Sequence, residues 1–226
     1  MNNQFSKSIA LALFLVLTSI SSIAQVNHFL GLSTGVDLNF TSATSDFSNN
    51  VGISQSLTSL SESSTNGNLK VAYGFPMGGN YLGNRGVLTV GGSYGVEDIK
   101  AGSSSNITTG FIKQKNVLSL YLEPGLLASN TTMVYGKFAF QFMDLQSTFN
   151  TCSKSGNDPW VCSNLATVNQ SLKGYGYGVG IRRMINRNMF IQAEAMQTIY
   201  DKGVLLGIID VKSTASSGGV GVGFKF

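Results

Sequence analysis

From Phe29 to Phe40 the even positions are Leu30, Leu32, Thr34, Val36, Leu38 and Phe40, while the odd ones are Phe29, Gly31, Ser33, Gly35, Asp37 and Asn39. A period of two with one greasy and one small or polar face marks a β-strand. The same split recurs over Leu69–Phe75, Leu88–Glu97, Leu118–Glu123, Val134–Phe142, Gly174–Arg182, Met189–Ala195 and Gly219–Phe226, which predicts eight strands. The links between them alternate in length. Long ones span Thr41–Asn68, Asp98–Asn116, Asp144–Ser171 and Asp201–Ser213; short ones sit near Pro76–Gly86, Ala128–Thr131 and Met184–Asn188. That rhythm suits an up-and-down barrel better than a Greek-key sandwich.

The greasy face needs a solvent of its own. Eight rows of Leu, Val, Ile and Phe would aggregate in water, whereas a closed barrel can turn them toward lipid and still pair every backbone group. Only 12% of the chain is charged, against about 25% in average soluble domains. Aromatics fall at both ends of the strands: Tyr73, Phe75, Phe224 and Phe226 at one, Phe40, Tyr94, Phe142, Tyr175 and Tyr177 at the other. The fold expected is an all-β, eight-stranded antiparallel up-and-down transmembrane β-barrel. A soluble secreted β-sandwich is the competing reading.

The first residues stand apart from this pattern. One lysine, Lys7, precedes the apolar run Ile9–Ile20, and Ser22-Ile23-Ala24 offers small residues where a signal peptidase reads. Residues 1–24 are therefore expected to be a signal peptide and 25–226 the barrel domain. The apolar run is short for a membrane helix, which needs about 20 residues. The whole chain carries a net charge of +4, too weak and scattered to imply nucleic acid.

The polar face carries the candidate site. Its residues are mostly Gly, Ser, Ala and Thr, as the crowded interior of a small barrel requires. Its charges balance: Asp37, Glu97, Glu123 and Glu194 against Lys70, Lys137, Arg182 and Lys225. Buried ions are costly unless paired, so these eight are expected to form a lumen charge network. A turn at Ser129-Asn130 would set Glu123 nearly opposite Lys137. The many lumen glycines leave room for a narrow passage, which keeps a transport reading open.

Other chemistry is thin. Cys152 and Cys162 lie in one long link, and an exported chain meets an oxidising compartment, so a disulfide is expected. The Asp158-Pro159-Trp160 turn between them would give either a clipped, protease-resistant loop or a rigid aromatic contact surface. Gly91-Gly92-Ser93-Tyr94-Gly95 matches a nucleophile elbow, but it lies inside an alternating strand, and the single histidine, His28, has the opposite parity. No metal-ligand spacing appears, and the glycine runs have a strict period of two with no helix behind them, so no cofactor is expected. Val204–Ile209 is unusually apolar for a loop; it either packs as an extension of its two strands or forms a sticky tip.

The final strand, Val220, Val222, Phe224 and the terminal Phe226 at every second position, resembles the C-terminal signal by which bacterial outer-membrane barrels are recognised for insertion. The hairpin Gly174–Tyr200, with its alternating glycines, short Asn/Arg turn and inward Glu194, resembles the opacity-type, porin-like family, similar to small OmpA/OmpX-type barrels. The resemblance implies a Gram-negative outer membrane with both termini periplasmic, and no catalysis. It implies as partners the membrane lipid and lipopolysaccharide, the barrel-insertion machinery, and a host or cell-surface ligand. The function expected from it is display of extracellular loops for adhesion or envelope integrity. The alternative is a narrow porin for small solutes or ions.

Overall fold

The computed structural model describes residues 27–49, 60–77, 85–104, 108–153, 161–205 and 209–226. The leader 1–24, the Asp158-Pro159-Trp160 turn and the middle of the Val204–Ile209 stretch lie outside the described residues. Ten strand segments follow one another: β1 (Gly31–Asn49), β2 (Leu60–Pro76), β3 (Gly86–Gly95), β4 (Ile99–Ser104), β5 (Thr108–Ser129), β6 (Thr132–Ser153), β7 (Val161–Met184), β8 (Met189–Tyr200), β9 (Gly203–Leu205) and β10 (Ile209–Lys225). All pairings are antiparallel; the wall runs β1-β2-β3-β5-β6-β7-β8-β10, and β1 pairs β10 to close it. Because β3 and β4 both pair β5, and β8 and β9 both pair β10, the wall has eight positions. The chain is a closed, eight-stranded antiparallel barrel.

Parity sorts side chains as the lipid argument requires. Val36, Leu38 and Phe40, Leu69 and Val71, Leu118, Leu120 and Leu122, and Phe138 and Phe140 all point outward and are exposed. Asp37, Asn39, Lys70, Ser119, Glu123, Lys137 and Gln141 point inward and are buried.

The strands run much further than the alternation predicts, and the expected long links are mostly strand. β1 continues to Asn49 and β2 starts at Leu60; β6 continues to Ser153 and β7 starts at Val161. Two things hide these extensions. One is inversion: on β6, Phe138, Phe140 and Phe142 face out, yet one step on Asp144, Gln146 and Thr148 face out while Met143 and Leu145 are buried inside. The alternation persists with its sense reversed, so Phe142-Met143 reads as an end of the pattern. The other is a bulge in β5, where the register with β6 shifts between Lys115 and Leu118. Asn116 sits there at φ 52°, a left-handed conformation that asparagine tolerates better than most residues. Its side chain is held by the Tyr94 hydroxyl, which donates to Oδ1 (3.2 Å), and by Asp144 Oδ2, which accepts from Nδ2 (3.0 Å).

Beyond the apolar band the closed wall also divides. There β2 from Leu60 to Asn66 is paired only with β1, β4 only with β5, β9 only with β10, and β7 before Lys173 only with β6. Two sheets result, β9-β10-β1-β2 and β4-β5-β6-β7. Ala43, Val211 and Ala215 from the first pack against Ile99, Ile112, Met143, Leu145 and Leu172 from the second, with Tyr200 of β8 at their base. Gln114 ties the sheets together by donating to Ser213 Oγ at 3.3 Å. Long links were expected at this end; the strands that replace them enclose an apolar core, because the outer surface here meets water. The described flanks of Val204–Ile209 continue a hairpin, with Leu205 opposite Ile209 and Val204 exposed.

The lumen glycines are occupied rather than vacant. A Cβ on Gly91 would lie 2.6 Å from the Tyr121 ring, one on Gly180 would strike Tyr135, and one on Gly223 would strike Phe190. The room that the sequence suggested for a passage is filled by these rings. We expect Gly91→Val to destabilise the barrel by about 1–3 kcal/mol, the usual cost of overpacking. Pairing it with Tyr121→Leu should restore much of the loss, read as the urea midpoint of the heat-sensitive gel band. Equal destabilisation with and without the Tyr121 change would contradict this packing.

Candidate functional site

At mid-depth, inward-facing charges from six wall positions meet. Asp37 (β1) pairs with Lys70 (β2), and Lys70 Nζ reaches Glu194 Oε2 (β8) at 3.4 Å. Lys137 (β6) donates to both oxygens of Glu194, at 2.8 and 2.9 Å, and lies 3.6 Å from Glu123 (β5). Arg182 (β7) donates to Glu123 Oε2 at 2.9 Å and, through Nε, to Gln192 Oε1 at 3.0 Å. Gln192 then donates through Nε2 to Asp37 Oδ1 at 2.9 Å, which closes the circuit. Acid and base alternate around the ring, and Gln192 joins its ends in the only orientation that serves both: carbonyl toward Arg182, amide toward Asp37.

The β-register explains why a ring of such long side chains fits. Lys70 stands opposite Gly35, Asp37 opposite Gly221, Lys137 opposite Gly178, and Glu194 between Gly180 and Gly219. Each charge thus borrows the volume that its neighbour leaves. Aromatic rings pack the remainder: Lys137 Nζ lies 4.2 Å from the centroid of Tyr121, and the Arg182 guanidinium lies 5.1 Å from Tyr135 and 4.9 Å from Phe190. The Tyr135 hydroxyl also donates to Glu194, at 3.3 Å. Contacts of this kind add roughly 0.5–2 kcal/mol each, more when dry.

Two of the eight expected network residues are elsewhere. Glu97 lies in the bend between β3 and β4 and is exposed, because the strand ends at Gly95 and the parity count no longer applies beyond it. Lys225 does face inward and is buried, but near the rim where the described chain begins and ends, with no ion pair among the described residues. Its backbone N–H donates to Asn188 O at 2.6 Å. Glu123 and Lys137 do lie within cross-strand reach, although each has a closer partner in Arg182 and Glu194. Sequence reasoning missed Gln192, Tyr121, Tyr135 and Phe190 as parts of the site. The signal for the rings was a large inward residue registered against an inward glycine, and it needs the pairing to be seen.

Apolar layers flank the ring on both sides. Toward the terminal rim, Phe29, Val87, Met133, Tyr135, Met184 and Phe190 pack together. Toward the other rim lies the core between the two sheets. Between that core and the ring is a cavity of about 50 Å³, lined among others by Asn39, Gln114, Ser119, Lys70 and Glu194. Ser93, centre of the nucleophile-elbow match, lines it too, in the middle of β3 opposite Lys70 and Ser119, while His28 lies in the turn before β1. No group of three His, Cys, Asp or Glu suited to a metal occurs among the described residues. The four residues of the terminal motif, Val220, Val222, Phe224 and Phe226, all face outward.

Removing one member of a buried pair leaves its partner's charge uncompensated, at about 3–5 kcal/mol. We expect Lys137→Met to cost that much in a urea titration. Lys137→Met with Glu194→Gln should cost clearly less than the two single changes added together. Strict additivity would show that the ring is not coupled.

Comparison with known proteins agrees with this architecture. A family model described as the outer membrane protein beta-barrel domain matches residues 10–226. Among solved structures, the chain is similar to the attachment invasion locus protein Ail of Yersinia pestis, at 15% identity and a TM-score of 0.42, covering 86% of this chain and 98% of that one. It is similar to the outer membrane protein OprG of Pseudomonas aeruginosa, at 14% identity and a TM-score of 0.48, covering 88% and 98%. The outer membrane protease OmpT of Escherichia coli is similar at 8% identity and a TM-score of 0.48, covering 92% and 100%. No curated protein sequence matches the chain. With the family model spanning nearly its whole length, the chain belongs to the outer-membrane β-barrel family.

Proposed function

We propose that this barrel is a non-catalytic scaffold whose working part is the doubled sheet beyond the membrane, serving adhesion or envelope integrity. The observation that carries the reading is the filled lumen: a closed charge ring between two apolar layers, with a cavity of about 50 Å³ beside the ring. The first and last described residues, Asn27 and Phe226, share one rim, which in this reading is periplasmic, and the doubled sheet then stands outside the cell. The outward Val220, Val222, Phe224 and Phe226 serve insertion by the barrel machinery. The apolar outer band meets membrane lipid, and just beyond it the exposed Lys173 suits the phosphates of lipopolysaccharide, while the half-buried Lys113 and Lys115 pair with Asp98 at 3.9 and 3.7 Å. Catalysis finds no support in the position of Ser93, which sits mid-strand in the lumen with no turn into a helix behind it.

Planar-bilayer recording of the refolded mature chain separates this reading from the narrow porin. We expect no steady conductance from the wild type, and none from Glu123→Ala or Arg182→Ala, since the apolar layers remain. Steady open events in the wild type that change in either variant would make the lumen the working part.

A disulfide between Cys152 and Cys162 belongs to the same reading. The β6–β7 register sets these two residues directly opposite each other at the tip of the hairpin. Directly paired positions fall within the Cα separation that a disulfide bridges. Such a bond would constrain the unfolded chain by roughly 3 kcal/mol in the loop-entropy model. We expect protein isolated from outer membranes to resist thiol alkylation until reduced. Two alkylated cysteines without reduction would exclude the bond.

A further inference from the structure

The balance of charge changes along the barrel. The wall between the charge ring and the rim where the described chain begins and ends is made of residues 25–36, 71–92, 124–136, 183–193 and 222–226. None of the 11 acidic residues falls in these stretches, which carry Arg85, Arg183, Arg187 and Lys225. Toward the doubled sheet, by contrast, acids and bases are mixed, and Asp98 pairs with Lys113 and Lys115. The rim is thus basic without compensation.

Its three arginines are exposed, and none has an ion-pair partner among the described residues. Arg183 continues the outward face of β7 after Val179 and Ile181, and it stands between Thr132 of β6 and Ile191 of β8. It therefore leaves the outer wall where the apolar band ends. Arg187 lies in the β7–β8 turn, with the exposed Ile185 and Met189 on either side. Asn186 pins that turn, its Oδ1 accepting from the N–H groups of Asn188 at 2.9 Å and Met189 at 2.8 Å. Arg85 sits on the β3–β5 side of the rim, where its carbonyl accepts from the Leu127 N–H at 2.9 Å.

We propose that this rim binds phospholipids of net negative charge in the adjoining leaflet, with Arg183 and Arg187 holding the headgroup phosphate. A guanidinium presents paired donors to phosphate oxygens, and a long side chain at the end of an apolar band reaches the headgroup layer. A zwitterionic headgroup brings its own ammonium, which four cations without a carboxylate do not favour. A cell-wall polymer approaching along the barrel axis would meet Arg85 and Arg187 but not Arg183, whose neighbours Ile181 and Ile191 face lipid. That the leaflet is the periplasmic one rests on the orientation proposed above; the headgroup preference does not.

The test adds phosphatidylglycerol or phosphatidylcholine with the same acyl chains to the refolded mature chain in detergent micelles. Retained lipid is counted by native mass spectrometry. We expect phosphatidylglycerol to be retained in preference, and about tenfold less of it in the double variant Arg183→Gln, Arg187→Gln. Arg183→Lys with Arg187→Lys should keep most of the preference, and the heat-sensitive gel shift checks that each variant folds. Equal retention of the two lipids by the wild type needs no variant and would overturn the proposal. So would an unchanged double variant, or a loss seen in Lys173→Gln instead, which would put the lipid at the other end of the barrel. Displacement of phosphatidylglycerol by carboxylate-bearing cell-wall fragments would also overturn it, with the polymer as occupant. Failure here leaves a silent lumen unaffected, whereas a conducting wild type would overturn the display reading and leave the lipid preference standing.

Discussion

A narrow cylinder in lipid has to be filled from within, and no ion inside it can be left alone. The strands need polar backbones fully paired and an apolar outer face, which forces the polar residues of each strand inward. Eight strands leave an interior just wide enough for side chains. The charge ring satisfies both demands at once. Asp37, Lys70, Glu194, Lys137, Glu123 and Arg182 alternate in sign, and Gln192 bridges Arg182 back to Asp37. The glycines follow from the same demand. They are the places where Tyr121, Tyr135, Phe190 and the ring's own side chains lie.

The outward apolar face, the inward charges and the closure into a barrel were legible in the sequence because lipid imposes a rigid alternation on each strand. Glu97 was misplaced because parity counting cannot see that a strand has ended at Gly95. The ring itself was only half legible. Parity could set Glu123 and Lys137 on one face, but the choice of Arg182 and Glu194 as their closer partners depends on the register of strands far apart in the chain. Gln192 carries no charge and so gave no signal, although without it Arg182 and Asp37 would not be joined. The apolar layers were illegible for a different reason: Phe190 and Met133 interrupt a polar row and look like exceptions until the opposing glycines are known.

The extensions beyond the band show most clearly how solvent, rather than propensity, decides what a strand displays. β7 carries Tyr177 and Tyr175 outward with Gly176 and Gly174 inward, then turns to Lys173 and Ser171 outward with Leu172 inward, without any break in its ladder to β6. In lipid the strand is greasy outside; in water it is greasy inside, like any globular sandwich. The inversion also accounts for the division of the wall. A closed ring of eight strands holds a core of fixed width, suited to paired charges and rings at mid-depth. Smaller apolar residues such as Ala43, Ala215 and Val211 fill less of it, and two sheets can approach each other only if the cylinder opens at its sides. The unpaired edges are thus a consequence of packing an apolar core in the part of the barrel that stands in water. Charges can blunt such edges at little cost. β2 and β4 each carry one, whereas the uncharged β7 edge runs beside β9, with Gly203 against Gln170 and Leu172.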